Sequence, residues 1–371
     1  MSATQRTARP GPARGLDVDW ALAGRWAGRL ASPGPTASRD ELARLVEDLH
    51  DAARRALPMA LTAARLGPAV EAAGTTATAQ VLVVDRPGWS RAAARSFAGM
   101  TEAAGLAASS DARWARLAGV RAAPTTAQAA AVLALLAGRV LGQFDPFAPD
   151  APPGGRLLLV APNVLRTERL ISATPADFRL WVCVHEQTHA LQFAAAPWLA
   201  GHLRAEVAAL VAELSETSAL QEVGTAVEGA LRTLRGRGEA ESEAELGVLE
   251  ILLQPEQRDR VERITAVMSL LEGHADVSMD AVGRRSIPSV RRLRARFDAR
   301  RRHATGLDRV LRRVLGMDAK LAQYRRGAAF VRAVRRTGGR DALDAVWSGP
   351  QALPTPREIS DPRAWVRRVH G

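Results

Sequence analysis

The stretch WVCVHEQTHALQF, Trp181–Phe193, decides how the rest of the chain is read. It carries the pattern H-E-x-x-H as His185, Glu186 and His189. Residues four apart on an α-helix share a face, so two imidazoles in this register can meet one metal ion. Glu186 stands about 100° round the helix from His185. It misses the metal itself but reaches a water held there. Zinc suits such a set because imidazole is a good ligand and a remaining open position takes water. The metal acidifies that water and the glutamate accepts its proton. The bland alternative is a pair of core histidines beside a surface glutamate. The flanks Trp181, Val182, Val184, Ala190, Leu191 and Phe193 are apolar and predict a buried helix. In a buried helix two histidines and a glutamate need partners. Upstream, Thr174 as cap, Pro175 at the first helical position and Asp177 closing a capping-box-like pair predict that this helix runs from about 175 to 195.

A catalytic zinc needs a third protein ligand. The metzincin continuation H-x-x-G-x-x-H is excluded, because Gln192 and Ala195 stand at its Gly and His positions. His202, beyond Pro197, is a weaker alternative. The better candidate lies in SLLEGHADVSMDAVG, residues 269–283, where Glu272 and Asp276 are four apart on one predicted face. Glu272 is expected to ligate the metal and Asp276 to orient a ligand histidine from behind. That E-x-x-x-D spacing on a later helix is the arrangement of thermolysin-like gluzincins. His274 points about 200° away from Glu272, so it either contacts substrate or serves as a core histidine. Donors for a developing oxyanion are sought at His274, Tyr324 and Arg325. Asn163, near the end of a predicted strand, either contacts an extended substrate or makes a turn. Two histidines and a carboxylate also suit iron or manganese; zinc is the expected cofactor.

Working outward, the chain of 371 residues has a formal net charge of +12, with Lys+Arg 51 against Asp+Glu 39. Nearly all the cations are arginine, and Lys320 is the only lysine. That bias, with abundant alanine, matches codon usage in a GC-rich genome, which weakens any functional reading of the charge. The arginine-dense segment 284–313 contains only Phe297 among the Phe, Trp and Tyr rings, so base stacking has little support and nucleic acid is not the expected partner. A single cysteine, Cys183, excludes an intrachain disulfide framework and a multi-thiolate zinc site. The N-terminus has no apolar core of a secretion signal, and no apolar run reaches membrane-span length. A cytoplasmic protein without membrane association is expected.

Residues 1–15 are expected to be disordered, and 16–371 to form a single domain. Helices are predicted at 17–31, 39–66 (with Ser38 and Glu41 as a capping box), 89–100, 125–145, 175–195, 200–235, 257–282, 288–304, 306–315 and 317–335. Strands are predicted at 79–85 and 156–164, with a turn at Pro87-Gly88. The fold class is α+β, predominantly helical, with a small sheet placed near the H-E-x-x-H helix.

The segments CVHEQTHALQF, LLEGHADVSMDAVG, KLAQYRRGAAFV and VWSGPQALPTPREISDPRAWVRRV resemble the actinobacterial zincin-like metallopeptidase type 2 family, from about residue 17 to the end. Its members often bear the label hydrolase or "coenzyme F-420 biosynthesis associated". The resemblance implies a helix-rich zincin-like fold. It also implies a zinc site with His185, His189 and Glu272 as ligands and Glu186 as base. The expected activity is hydrolysis of a peptide or amide bond. The competing expectation is a non-catalytic binding or regulatory protein on the same scaffold, associated with deazaflavin coenzyme metabolism. No Gly-rich dinucleotide fingerprint accompanies that association.

Overall fold

Arg156–Val160 is buried at all five positions and organises the molecule. A strand apolar on both faces needs cover on both. In the computed structural model, which describes residues 18–76, 78–102, 112–215, 254–302, 317–339 and 341–371, it receives that cover. The sheet consists of β1 (Gln80–Val84), β2 (Gly142–Asp145) and β3 (Arg156–Val160) in the order β1-β3-β2. β1 runs parallel to β3, from Gln80↔Arg156 to Val84↔Val160. β2 runs antiparallel to it, from Gly142↔Leu159 to Asp145↔Arg156.

Leu158 and Val160 point into a layer made by α1 (Trp20–Leu30), α4 (Arg86–Glu102) and α5 (Ala112–Ala137), against Ala23, Ala27, Trp89 and Leu133. Leu157 and Leu159 point the other way, into the main core. Around that core lie α2 (Arg39–Ala64), α3 (Gly67–Ala72), α6 (Ala161–Leu170), α7 (Pro175–Ala195) and α8 (Trp198–Ser215). They are joined by α9 (Pro255–Ala281), α10 (Gly283–Ser286), α11 (Val290–Arg302), α12 (Met317–Thr337), α13 (Pro356–Ser360) and α14 (Pro362–His370). The α7 helix, which carries H-E-x-x-H, packs against α2, α9 and β2. Among the described residues, no helix is long and apolar enough to cross a membrane.

The predominantly helical architecture with a small sheet is as expected, and α7 has the bounds read from the sequence. Several local expectations are corrected. The predicted helix 125–145 ends at Ala137, and its last residues become β2. Pairing with β3 is a nonlocal interaction that apolar periodicity does not report. Pro87-Gly88 is not a turn but the start of α4, where a missing proline N–H costs nothing and Asp85 Oδ1 accepts the Gly88 N–H at 2.6 Å. The predicted strand 156–164 stops at Val160, because Pro162 falls in the first turn of α6. Ser38 caps α2 by accepting the Glu41 N–H at 3.1 Å, while the Glu41 carboxylate pairs with Arg169 instead of returning to the cap. Thr174 makes no side-chain cap; Asp177 accepts the backbone N–H of Ser289 at 2.9 Å and ties α7 to α11. The expectations for residues 1–15, for helix 306–315 and for 216–235 lie outside the described residues.

Candidate metal centre

The sequence around α7 is apolar on almost every side, and the helix is accordingly enclosed by core. Polar groups on such a helix must find polar partners, because burying them unpaired costs several kcal/mol (roughly 2–7). His185 and His189 find them one helical turn apart. Their Nε2 atoms lie 3.1 Å from each other. From α9, Glu272 brings Oε2 to 3.3 Å from His185 Nε2 and 3.6 Å from His189 Nε2. These three ligand atoms lie within 4.8 Å of one another, the arrangement able to hold a metal ion. A tetrahedral zinc with bonds of about 2.05 Å would set its ligand atoms about 3.3 Å apart, so the donor set fits zinc in spacing as well as type. The side chains keep exposures of 23% for His185, 14% for His189 and 19% for Glu272, so each retains some contact with solvent.

The electrostatics of the trio favour positive charge beside the Glu272 carboxylate. Burial opposes ionisation of Glu272, but hydrogen bonds from His185 and His189 outweigh it and hold the carboxyl well below the usual range. Burial would lower His189; the hydrogen bond and charge of Glu272 overcome this, with help from Glu186 and Gln192, and push it up to about 9.

Glu186 stands apart from the trio, as its position round the helix requires. It is 6% exposed. Burial raises its proton affinity, while His185 and His189 act in the opposite direction. The backbone N–H of Phe144 on β2 also acts to lower it. A Cβ on Gly142 would sit 2.6 Å from Glu186 Cγ and 2.8 Å from Oε1, so only glycine at that strand position leaves room for the glutamate.

The other expected site residues lie elsewhere. Asp276 does not reach either histidine: its Oδ1 takes Arg294 Nη1 at 2.6 Å, and Arg294 also binds Asp280 and lies 5.3 Å over the Trp181 ring. His185 Nδ1 faces Met279 Sδ at 3.1 Å instead. His274 is a core histidine, 1% exposed, with Trp347 at 5.4 Å between ring centres, and burial lowers it to about 3. Of its two expected roles, substrate contact is thereby removed. Asn163 is also structural: it accepts from Arg86 Nε at 2.8 Å and donates to the carbonyls of Ala137 and Val140, both at 2.7 Å. His202 meets the Trp198 ring edge-on, with 6.0 Å between ring centres, and is not part of the cluster. Tyr324 and Arg325 lie on α12, and their side chains fall outside the described residues. The arginine-rich segment is partly consumed in fastening, since Arg296 donates to the carbonyls of Ile171 and Ser172.

One residue was missed at the sequence level. Gln192, noticed only as the glutamine that breaks the metzincin pattern, touches both His189 and His274. Its spacing of three from His189 was the available signal, since i and i+3 side chains meet on a helix.

No curated protein matches the chain. Among solved structures, it is similar to a protein from Chloroflexus aurantiacus described as a "putative hydrolase with a novel fold". The identity is 28%, the TM-score 0.62, and the match covers 95% of this chain and 99% of the other. The model of the family described as zincin-like metallopeptidase matches residues 18–366, nearly the full length and including all four residues of the centre. The chain therefore belongs to the zincin-like metallopeptidase family.

Proposed function

We propose that the protein is a zinc-dependent hydrolase of peptide or amide bonds, with His185, His189 and Glu272 as metal ligands and Glu186 as general base. The observation that carries this reading is the convergence of two imidazole nitrogens and one carboxylate oxygen from two helices, with a second, separately held carboxylate beside them. A bound zinc ion supplies Lewis acidity, polarising a carbonyl and acidifying water. The chain's own groups do the rest. Burial gives Glu186 a raised proton affinity, which suits a group that takes a proton from the attacking water and returns it to the leaving amine. The bare Gly142 on β2 leaves the Glu186 side chain its place, and the Phe144 N–H favours its charged form. Gln192 supports His189 from behind.

The test is metal content together with hydrolysis. Protein purified without chelator or histidine tag is expected to carry one equivalent of zinc by mass spectrometry, lost in His185→Ala and Glu272→Gln. Wild type is expected to cleave members of a fluorogenic peptide library, and Glu186→Gln to keep its zinc while losing cleavage. Folded wild type that takes up no zinc when supplied with it would remove the hydrolase reading. A binding or regulatory protein on this scaffold would remain.

A further inference from the structure

Two backbone carbonyls, those of Ala64 and Leu271, fix the state of one of the ligands of the metal cluster. Ala64 is the last residue of α2, and its carbonyl is among those a helix end leaves without an intrahelical partner. His274 Nε2 lies 3.2 Å from that oxygen. A carbonyl only accepts, so Nε2 carries the hydrogen and Nδ1 carries the lone pair. Gln192 Nε2 lies 3.1 Å from His274 Nδ1 and 2.8 Å from the Leu271 carbonyl, two acceptors that together require the amide nitrogen on this side. The amide oxygen then has to face the other way, where it lies 2.9 Å from His189 Nδ1. His189 must therefore donate from Nδ1, and its Nε2 is directed at His185 and Glu272. Among the described residues His185 has no such support; its Nδ1 faces the soft sulfur of Met279.

We infer that Gln192 is the positioning residue of the metal centre. It locks His189 in the tautomer and ring orientation that metal binding needs, and is itself held by the carbonyl of Leu271 and by His274 on the carbonyl of Ala64. His189 is thus the anchored ligand and His185 the adaptable one. This rests on the reading of the trio as a metal site. It gives α9 a second duty besides supplying Glu272, and it gives buried His274 a role as a fixed donor and acceptor.

The experiment is zinc titration against a chromogenic chelator on full-length wild type, Gln192→Met and Met279→Leu. It is paired with long-range proton–nitrogen correlation spectra of the histidine rings in the wild type. Gln192→Met keeps the length of the side chain but removes the amide. Its zinc affinity is expected to fall roughly 10–100-fold, while Met279→Leu stays within about threefold. In the spectra, His274 is expected as the Nε2–H form and His189 as the Nδ1–H form in zinc-loaded protein. Zinc affinity in folded Gln192→Met equal to wild type would overturn the inference alone. If that variant does not fold, the wild-type spectra decide: His274 in the Nδ1–H form breaks the chain of donors and overturns it. Wild type that binds no zinc overturns the metal-site reading and this inference with it.

Discussion

Gly273 of α9 and Gly327 of α12 meet backbone to backbone. A Cβ on Gly273 would fall within the Gly327 peptide, and one on Gly327 would fall on the Ser269 carbonyl. Glu272 is the neighbour of Gly273, so the depth of this crossing sets where the third candidate ligand stands. Alanine at either position gains about 1 kcal/mol of helix propensity, but a methyl forced into a neighbouring backbone costs about 1–3 kcal/mol. Gly273→Ala and Gly327→Ala are each expected to lower stability in urea unfolding and to reduce zinc content. Full stability with full zinc in either variant would show that the close approach is dispensable.

Zinc uptake is expected to release a proton. In the metal-free protein His189 is pushed up to about 9, so near neutral pH it holds a proton that a metal must displace. Apparent zinc affinity should therefore rise about tenfold per pH unit from 7 towards 9 and level off above that. Calorimetry in two buffers of different ionisation enthalpy should detect about one proton released at pH 7.5. Zero release would disprove the coupling. The same shift fixes the sign for stability without metal. The contribution of charged His189 is complete below the ordinary histidine range and is lost as pH rises through about 9. That of Glu272, whose carboxyl is lowered, is present above the ordinary carboxylate range and is lost as pH falls.

Asp276 should behave as a fastener rather than as part of the metal centre. Its carboxylate holds Arg294, which also binds Asp280 and covers Trp181. Asp276→Ala is expected to cost about 1–2 kcal/mol in urea unfolding and to leave zinc affinity within about twofold. A tenfold loss of zinc affinity at unchanged stability would return Asp276 to the supporting role expected from its spacing.

Asn163 joins three segments: Arg86 at the start of α4, the end of α5 at Ala137, and Val140 just before β2. Asn163→Ala strands two carbonyls and removes one partner of a buried guanidinium, and is expected to destabilise by about 3 kcal/mol. The damage should spread to β2, where Gly142 and Phe144 adjoin Glu186. Hydrogen exchange of the Phe144 amide is the local readout; an unchanged exchange rate would sever that link.

Elements whose signals are local were legible in the amino-acid sequence. The α7 helix could be placed at 175–195 because its apolar flanks and Pro175 act within a few residues. The pairing of His185 with His189 followed from helical geometry alone, as did the separate position of Glu186. What depended on contacts between distant segments was decided only by tertiary structure. The end of the helix predicted over 125–145 became β2 because β3 offered it hydrogen bonds. Asp276 turned to Arg294, and His274 to Ala64, because α11 and α2 supply those groups where α9 passes. Gln192 gained its meaning only when α7 and α9 were packed together, with the Leu271 carbonyl on one side and His189 on the other. Periodicity and capping report the free energy of a segment with itself. The partner of a buried polar group is chosen by whichever donor or acceptor the fold brings within about 3 Å, and that is a property of the packed molecule.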